Sequence, residues 1–223
     1  MVGTRLTRQN ERMPPPLRYT LLTDGRSDQV LQHPIDWLLR LHVPASTFRR
    51  QWVDLATLPS PPKSLPQKCL AAVRLYPCEL LVVHRDAEAQ SIAVRKQEVA
   101  RAIANAGLTR PPHVCLVPVR MTEAWFLFDT NAIRIAAGNP HGTQDLGLPP
   151  MHRFEQMDAK PALHQALRAA SGHTGRKLRK FCSARAVHRL GESLCDFSPL
   201  RQLPSFRSFE EELLAVASDL AAN

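Results

Sequence analysis

Short apolar runs alternate with longer stretches whose apolar residues recur at helical spacing, from residue 17 to about residue 145. The runs 17–23 (Leu-Arg-Tyr-Thr-Leu-Leu-Thr) and 79–84 (Glu-Leu-Leu-Val-Val-His) are each followed by a helical pattern, so each reads as a buried strand feeding a helix. Over 28–41, Val30, Leu31, Ile35, Leu38 and Leu39 form one face, with Ser27 as the expected N-cap and Pro34 calling for a kink or a late start. Residues 48–55 are a weaker strand candidate. Pro59, Pro61, Pro62 and Pro66 make a stiff connection, after which 67–75 resume a helix. A helix over 91–106, closed by Gly107, leads through Pro111 and Pro112 to a strand over 114–119. A further helix is expected over 121–137, stopped by Gly138, Asn139 and Pro140. Alternation of this kind predicts an α/β fold, a parallel sheet with helices on both faces. Beyond Asp145 the pattern changes to helices near 158–170, 176–190 and 208–222, with no convincing strand. The expected organisation is a disordered leader over 1–16, an α/β domain over 17–145 and a helical C-terminal extension over 146–223. Met13 is an alternative start within the leader.

Composition adds two constraints. Hydrophobic residues make up 44% of the 223, enough to bury a core, yet no run approaches the ~18 apolar residues of a membrane span. Lys and Arg outnumber Asp and Glu by 29 to 20, a surplus that marks a polyanion partner or serves solubility. The surplus is concentrated: no carboxylate lies between Asp158 and Glu192, a stretch that holds Lys160, Arg176, Lys177, Arg179, Lys180 and Arg185. A segment of one sign suits a phosphate backbone, or is a solvated helical face. The five cysteines are odd in number and form no C-x-x-C pair, which points to a reducing, cytoplasmic setting. Cys115 sits in an apolar run and reads as a small core residue.

The chemistry lies in the acids that follow the two strongest strands. The first run ends in Asp24-Gly25-Arg26-Ser27-Asp28 and the second in Asp86-Ala87-Glu88. In an open parallel sheet, ligands bind outside the carboxyl ends of the strands, where these acids would fall. Clustered carboxylates repel one another unless a cation lies between them, and oxygen-only ligation suits Mg²⁺ or Mn²⁺. Glu123, past the next strand, adds a third acid. Asp86 is the foremost metal-ligand candidate, Glu88 and Asp24 would share or flank the ions, and Glu123 would ligate or orient a water. Asp28 would ligate or support, although an acid in a first helical turn is also favoured by the helix dipole. His84, alternating with core valines, reads as a satisfied structural histidine, and Trp125 and Phe126 as packing. No Gly-rich dinucleotide fingerprint and no G-x-x-x-x-G-K-[ST] loop is present.

Strand, Asp24-Gly25-x-x-Asp28, helix, strand, Asp86-Ala87-Glu88: this order resembles the Toprim fold of topoisomerases, bacterial primases and OLD-family nucleases. The usual blocks are Glu-Gly-x-x-Asp and Asp-x-Asp, so one acid here is shortened and one lengthened. With Thr122-Glu123-Ala124-Trp125-Phe126-Leu127, Asn139-Pro140 and the Phe197-Ser198-Pro199 stretch, the chain resembles a branch of Toprim-like proteins often encoded beside ABC- or AAA-type ATPases in phage-defence loci. The resemblance implies a Toprim-like Rossmannoid sheet and a metal-dependent nuclease cutting DNA or RNA. It also implies a partner ATPase, and a lysine, here Lys160, that steadies the scissile phosphate. The other reading of Lys160 is a surface lysine before a helix-opening proline. A non-catalytic Toprim-like subunit that binds nucleic acid or an ATPase is the alternative reading of the chain, and phosphotransfer through an Asp nucleophile is a third.

Overall fold

A computed structural model describes residues 16–43, 47–88 and 90–221; all of the expected leader except Pro16 lies outside the described residues. Four strands, β1 (Leu17–Leu22), β2 (Phe48–Val53), β3 (Leu80–His84) and β4 (His113–Leu116), pair all in parallel in the order β2-β1-β3-β4. Three helices supply the crossovers: α1 (Gln32–His42), α2 (Leu65–Leu75) and α3 (Ile92–Asn105). The chain leaves β1 for β2 on one side and later returns to β3 on the other. The gap between the ends of β1 and β3 is therefore the topological switch point, the favoured ligand position of an open α/β sheet.

Strand side chains alternate between the two faces. Tyr19, Leu21, Leu80, Val82, Val114 and Leu116 face a core shared with Ile35, Leu38 and Leu39 of α1. Leu22, Leu81, Val83 and Cys115 face a second core with Cys69 and Ala72 of α2 and Val99 and Ile103 of α3. Helices thus cover both faces, as the alternating pattern predicts. Every residue of β3 is buried because it has a strand on each side and a helical layer on each face.

Five more helices complete the chain: α4 (Thr130–Ala136), α5 (Ala159–Ala170), α6 (Gly175–Arg179), α7 (Ser183–Ser193) and α8 (Pro204–Ala221). Leu163 and Leu167 of α5, Leu190 of α7 and Phe206, Phe209 and Leu213 of α8 enter the same core as β1 and α1. Residues before and after Asp145 therefore share one hydrophobic interior. α8 also guards the sheet edge. Its Glu212 accepts the outward Cys115 N–H of β4 at 2.8 Å and pairs with Lys96 of α3 at 2.6 Å. A donor that would otherwise invite another strand is thereby satisfied.

Several local expectations change. Ser27 caps no helix: a 3-10 turn (Arg26–Leu31) intervenes and α1 begins late, with Pro34 in its first turn where its missing N–H costs nothing. The helix expected over 121–137 is two pieces, a 3-10 turn (Thr122–Phe126) and α4. The break comes at Asp129, whose carboxylate caps α4 by accepting the Asn131 and Ala132 N–H groups. The segment 176–190 likewise splits into α6 and α7. The strand expected over 114–119 ends at Leu116. α2 starts earlier than expected because Ser64 and Gln67 form a capping box.

Candidate functional site at the switch point

β1 and β3 deliver their acids to the same edge of the sheet, and there the acids are already engaged. Asp24 takes Lys68 of α2 on one oxygen at 2.9 Å and the Arg85 guanidinium on the other. Arg85 reaches on to Glu98 at 3.1 Å, Arg95 holds Glu98 at 2.8 Å, and Arg95 also holds Glu88 at 2.9 Å. These contacts make one chain of alternating charge running from α2 to α3. Burial alone would raise the Asp24 carboxyl, but the Lys68 hydrogen bond and the charges of Arg85 and Lys68 outweigh it and hold it below the usual range.

Asp28 and Asp86 are different. Among the described residues neither has a Lys or Arg partner, and both lie against the ring of His84. His84 Nε2 is 3.2 Å from Asp86 Oδ1 and 3.2 Å from Thr122 Oγ1, while Nδ1 is 3.8 Å from Asp28 Oδ2, beyond hydrogen-bond reach. Nδ1 is buried with no hydrogen-bond partner. His84 is thus buried as a core-strand residue should be, but it is not satisfied. Beside it, Glu123 is buried in the 3-10 turn after β4 and receives the Lys160 ammonium from the first turn of α5 at 3.3 Å. Lys160 is accordingly tied to an acid of the same edge, although half of its side chain is exposed.

The backbone is strained along this edge. Glu88 (φ 53°) and Arg120 (φ 65°) are the non-glycine residues of positive φ among those described, and they follow β3 and β4 respectively. Long side chains rarely occupy that region, and such strain clusters at ligand sites.

By chemistry this donor set fits a hard divalent cation: Asp28 and Asp86 are carboxylates without permanent counter-charge at a ligand-favoured edge, with a buried polar atom left unpaired between them. It is not a finished cage. Among the described residues no group of three or more His, Cys, Asp or Glu side chains stands ready to hold an ion. The imidazole separates Asp28 from Asp86, and ion pairs engage Asp24, Glu88 and Glu123.

The expected nucleic-acid cations divide. Lys160 belongs to the acid edge, whereas Arg176, Lys177 and Arg179 on α6, Lys180 after it and Arg185 on α7 are exposed and make no ion pair among the described residues. Sequence reasoning missed Lys68, Arg85, Arg95 and Glu98 as partners of the acids. Only the Glu98–Arg95 pair, three apart on one helix, carried a local signal. Lys68 lies 44 residues from Asp24, and nothing local joins them.

Comparison with known proteins returns no match: no family model, no curated protein and no solved structure corresponds to this chain. Among the described residues, no helix is long and apolar enough to cross a membrane.

Proposed function

We propose that the chain is a metal-dependent nuclease of Toprim type that hydrolyses phosphodiester bonds of DNA or RNA in the cytoplasm, as a phage-defence effector held in check by an ATPase partner. The observation that carries this reading is the meeting of the β1 and β3 acids at His84, on the switch-point edge, with Asp28 and Asp86 free of any Lys or Arg among the described residues. Asp86, Asp28 and Asp24 would hold Mg²⁺ or Mn²⁺, with Glu88 and Glu123 flanking. The ion would supply charge stabilisation at the attacking and leaving oxygens of the phosphate.

The remaining work falls to side chains already on this edge. Lys68, Arg85 and Lys160 each neutralise a carboxylate that a divalent cation would neutralise instead, and each would then be released toward phosphate oxygens. His84, hydrogen-bonded to Asp86 and Thr122, fixes the Asp86 carboxylate relative to Glu123, the residue after Thr122. Hydrolysis adds water across one P–O bond, leaving a phosphomonoester on one fragment and a hydroxyl on the other. Glu123, buried and freed of its ion pair once Lys160 turns away, would be placed to take the proton of the attacking water.

The second reading, a non-catalytic nucleic-acid or ATPase-binding subunit, is favoured by one observation: Asp24, Glu88 and Glu123 are all closed by ion pairs. One experiment separates the two. Plasmid, single-stranded DNA and total tRNA are incubated with the protein and Mg²⁺ or Mn²⁺, beside Asp86→Ala and Glu123→Ala, while Tm is followed against metal concentration. The nuclease reading expects a metal-dependent rise in Tm that Asp86→Ala abolishes, and cleavage lost in both variants and with EDTA. A Tm that ignores metal, together with no cleavage by folded protein, gives the site to the second reading.

A further inference from the structure

The cations of the C-terminal helices surround a concave surface. Lys177, Lys180, Arg185 and Arg189 line a cavity of roughly 300 Å³ together with Phe181 and Cys182. None of the four cations forms an ion pair among the described residues; the Arg189 Nε is used on the Ala136 carbonyl at 2.9 Å, which fixes its stem and leaves its terminal N–H groups open. His173 also lines this cavity and stacks edge-on against Phe181, with ring centroids 6.2 Å apart.

His173 lines a second cavity too, of roughly 590 Å³, so the two adjoin. Pro161, His164, Gln165 and Arg168 of α5 form its wall, and their spacing puts them on one helical face. Helix α5 has 12 residues, hence is about 18 Å long. At its first turn Lys160 holds Glu123; at its far end lies the basic cavity. The two adjoining cavities therefore make one groove along α5, the helix whose first turn holds Glu123 through Lys160, and the groove ends at a cluster of cations without ion pairs among the described residues.

We propose that this groove is the track of a single-stranded nucleic acid, its backbone held by Lys177, Lys180, Arg185 and Arg189 and its bases meeting the His173–Phe181 wall. The proposal rests on the nuclease reading for its substrate class and deepens it by choosing the form of the strand. A positive groove with interleaved aromatic side chains is the physics of sequence-tolerant single-strand binding. Cavities of this size accept single bases and phosphates. A duplex keeps its bases stacked inside and would touch only the rim, leaving the aromatic wall unused.

Cys182 provides a reporter, because it lines the basic cavity, while Cys195, also exposed, lies beyond the other end of α7. Alkylation of both thiols is timed in EDTA, without and with a mixed-sequence 12-nucleotide strand, as DNA and as RNA, and with the corresponding duplexes. The single strand is expected to slow Cys182 at least fivefold and leave Cys195 unchanged, with a duplex at equal concentration giving little protection. The double variant Lys177→Glu/Arg185→Glu, checked for folding by circular dichroism, is expected to raise the single-strand Kd at least tenfold and to abolish protection. Protection equal with duplex, unaltered affinity in the variant, or protection by polyglutamate but not by oligonucleotide overturns the proposal. Because no metal is present, failure to cleave leaves this result untouched. Intact cleavage with an unprotected Cys182 refutes the track alone.

Discussion

Around the ends of β1 and β3, Lys68, Arg85 and Arg95 each hold a carboxylate, whereas on and between α6 and α7 Lys177, Lys180 and Arg185 hold none among the described residues. Both regions are rich in cations, but their charges serve different ends. At the switch point the alternating pairs hold several carboxylates together where they would otherwise repel, and they join α2 and α3 across the edge of the sheet. Between Asp158 and Glu192 no acid has been placed to quench the field, so it extends into solvent and is left for a polyanion. A cation matched internally contributes to the fold or to a poised site, while a cluster left unmatched is free to bind.

The largest expected break in this contrast comes from His84. His84→Leu removes the hydrogen bonds to Asp86 and Thr122 and puts an apolar side chain against the buried Asp28 carboxylate, so unfolding in urea should show a loss of about 2–4 kcal/mol. Unchanged stability would mean that the two aspartates do not depend on the ring. Next is Gly191, where α7 seats against the turn after β1. A Cβ there would lie 2.5 Å from His33 Cδ2 and 2.6 Å from Val30 Cγ2, and Val30 is buried with little room to move. Gly191→Ala should cost about 1–3 kcal/mol in the same assay, and a smaller value would show that the basic helices sit loosely on the acid side.

Acid titration sharpens the comparison further. The Asp24 carboxyl is held below its usual range, so its contribution is present above about pH 4 and is lost as pH falls through its folded-state value. The stability gap between wild type and Asp24→Asn should therefore narrow from pH 7 to pH 3, by a modest amount because Asp24 is partly exposed and screened. A gap that is flat with pH would mean that Lys68 and Arg85 do not hold the carboxylate. The smallest effect on stability is expected on α6 and α7: Lys177→Glu/Arg185→Glu should leave unfolding within about 0.5 kcal/mol of wild type. The same variant should reduce the salt dependence of single-strand binding by about 1.4 in log–log slope, one phosphate contact per cation.

Buried thiols provide a control on the fold. Burial pushes Cys69 up to about 11 and Cys115 up to about 12, so both should resist alkylation at neutral pH until the protein unfolds. The identification of Cys115 as a core residue follows from its place in an apolar run, and its burial in β4 agrees.

Much of the fold was legible because it is written in local periodicity. Apolar runs of strand length, helical faces such as Ile35, Leu38 and Leu39, and the stops at Gly107 and Gly138 are properties of a few consecutive residues. The errors arose where short-range polar bonds compete with periodicity: Asp129 splits one expected helix by capping the next, and the turn at Arg26–Leu31 displaces the expected cap at Ser27. The candidate acids were legible for a similar reason, since a carboxylate directly after a strong strand falls at the ligand edge of any parallel sheet.

The chain by itself determined that β1 and β3 are buried strands ending in acids, that helices separate them, and that a long basic stretch follows. Each of these depends on residue type and spacing within a few turns or a single strand. Only the tertiary structure decided that β1 and β3 are neighbours, that His84 lies between Asp28 and Asp86, that Lys68 and Lys160 close Asp24 and Glu123, and that α5 leads from one charged region to the other. Apart from His84 and Asp86, two positions apart, the paired residues in those relations lie 37 to 61 positions apart. Strand order and helix docking set them, through burial of a shared core and not through any local preference of the residues involved.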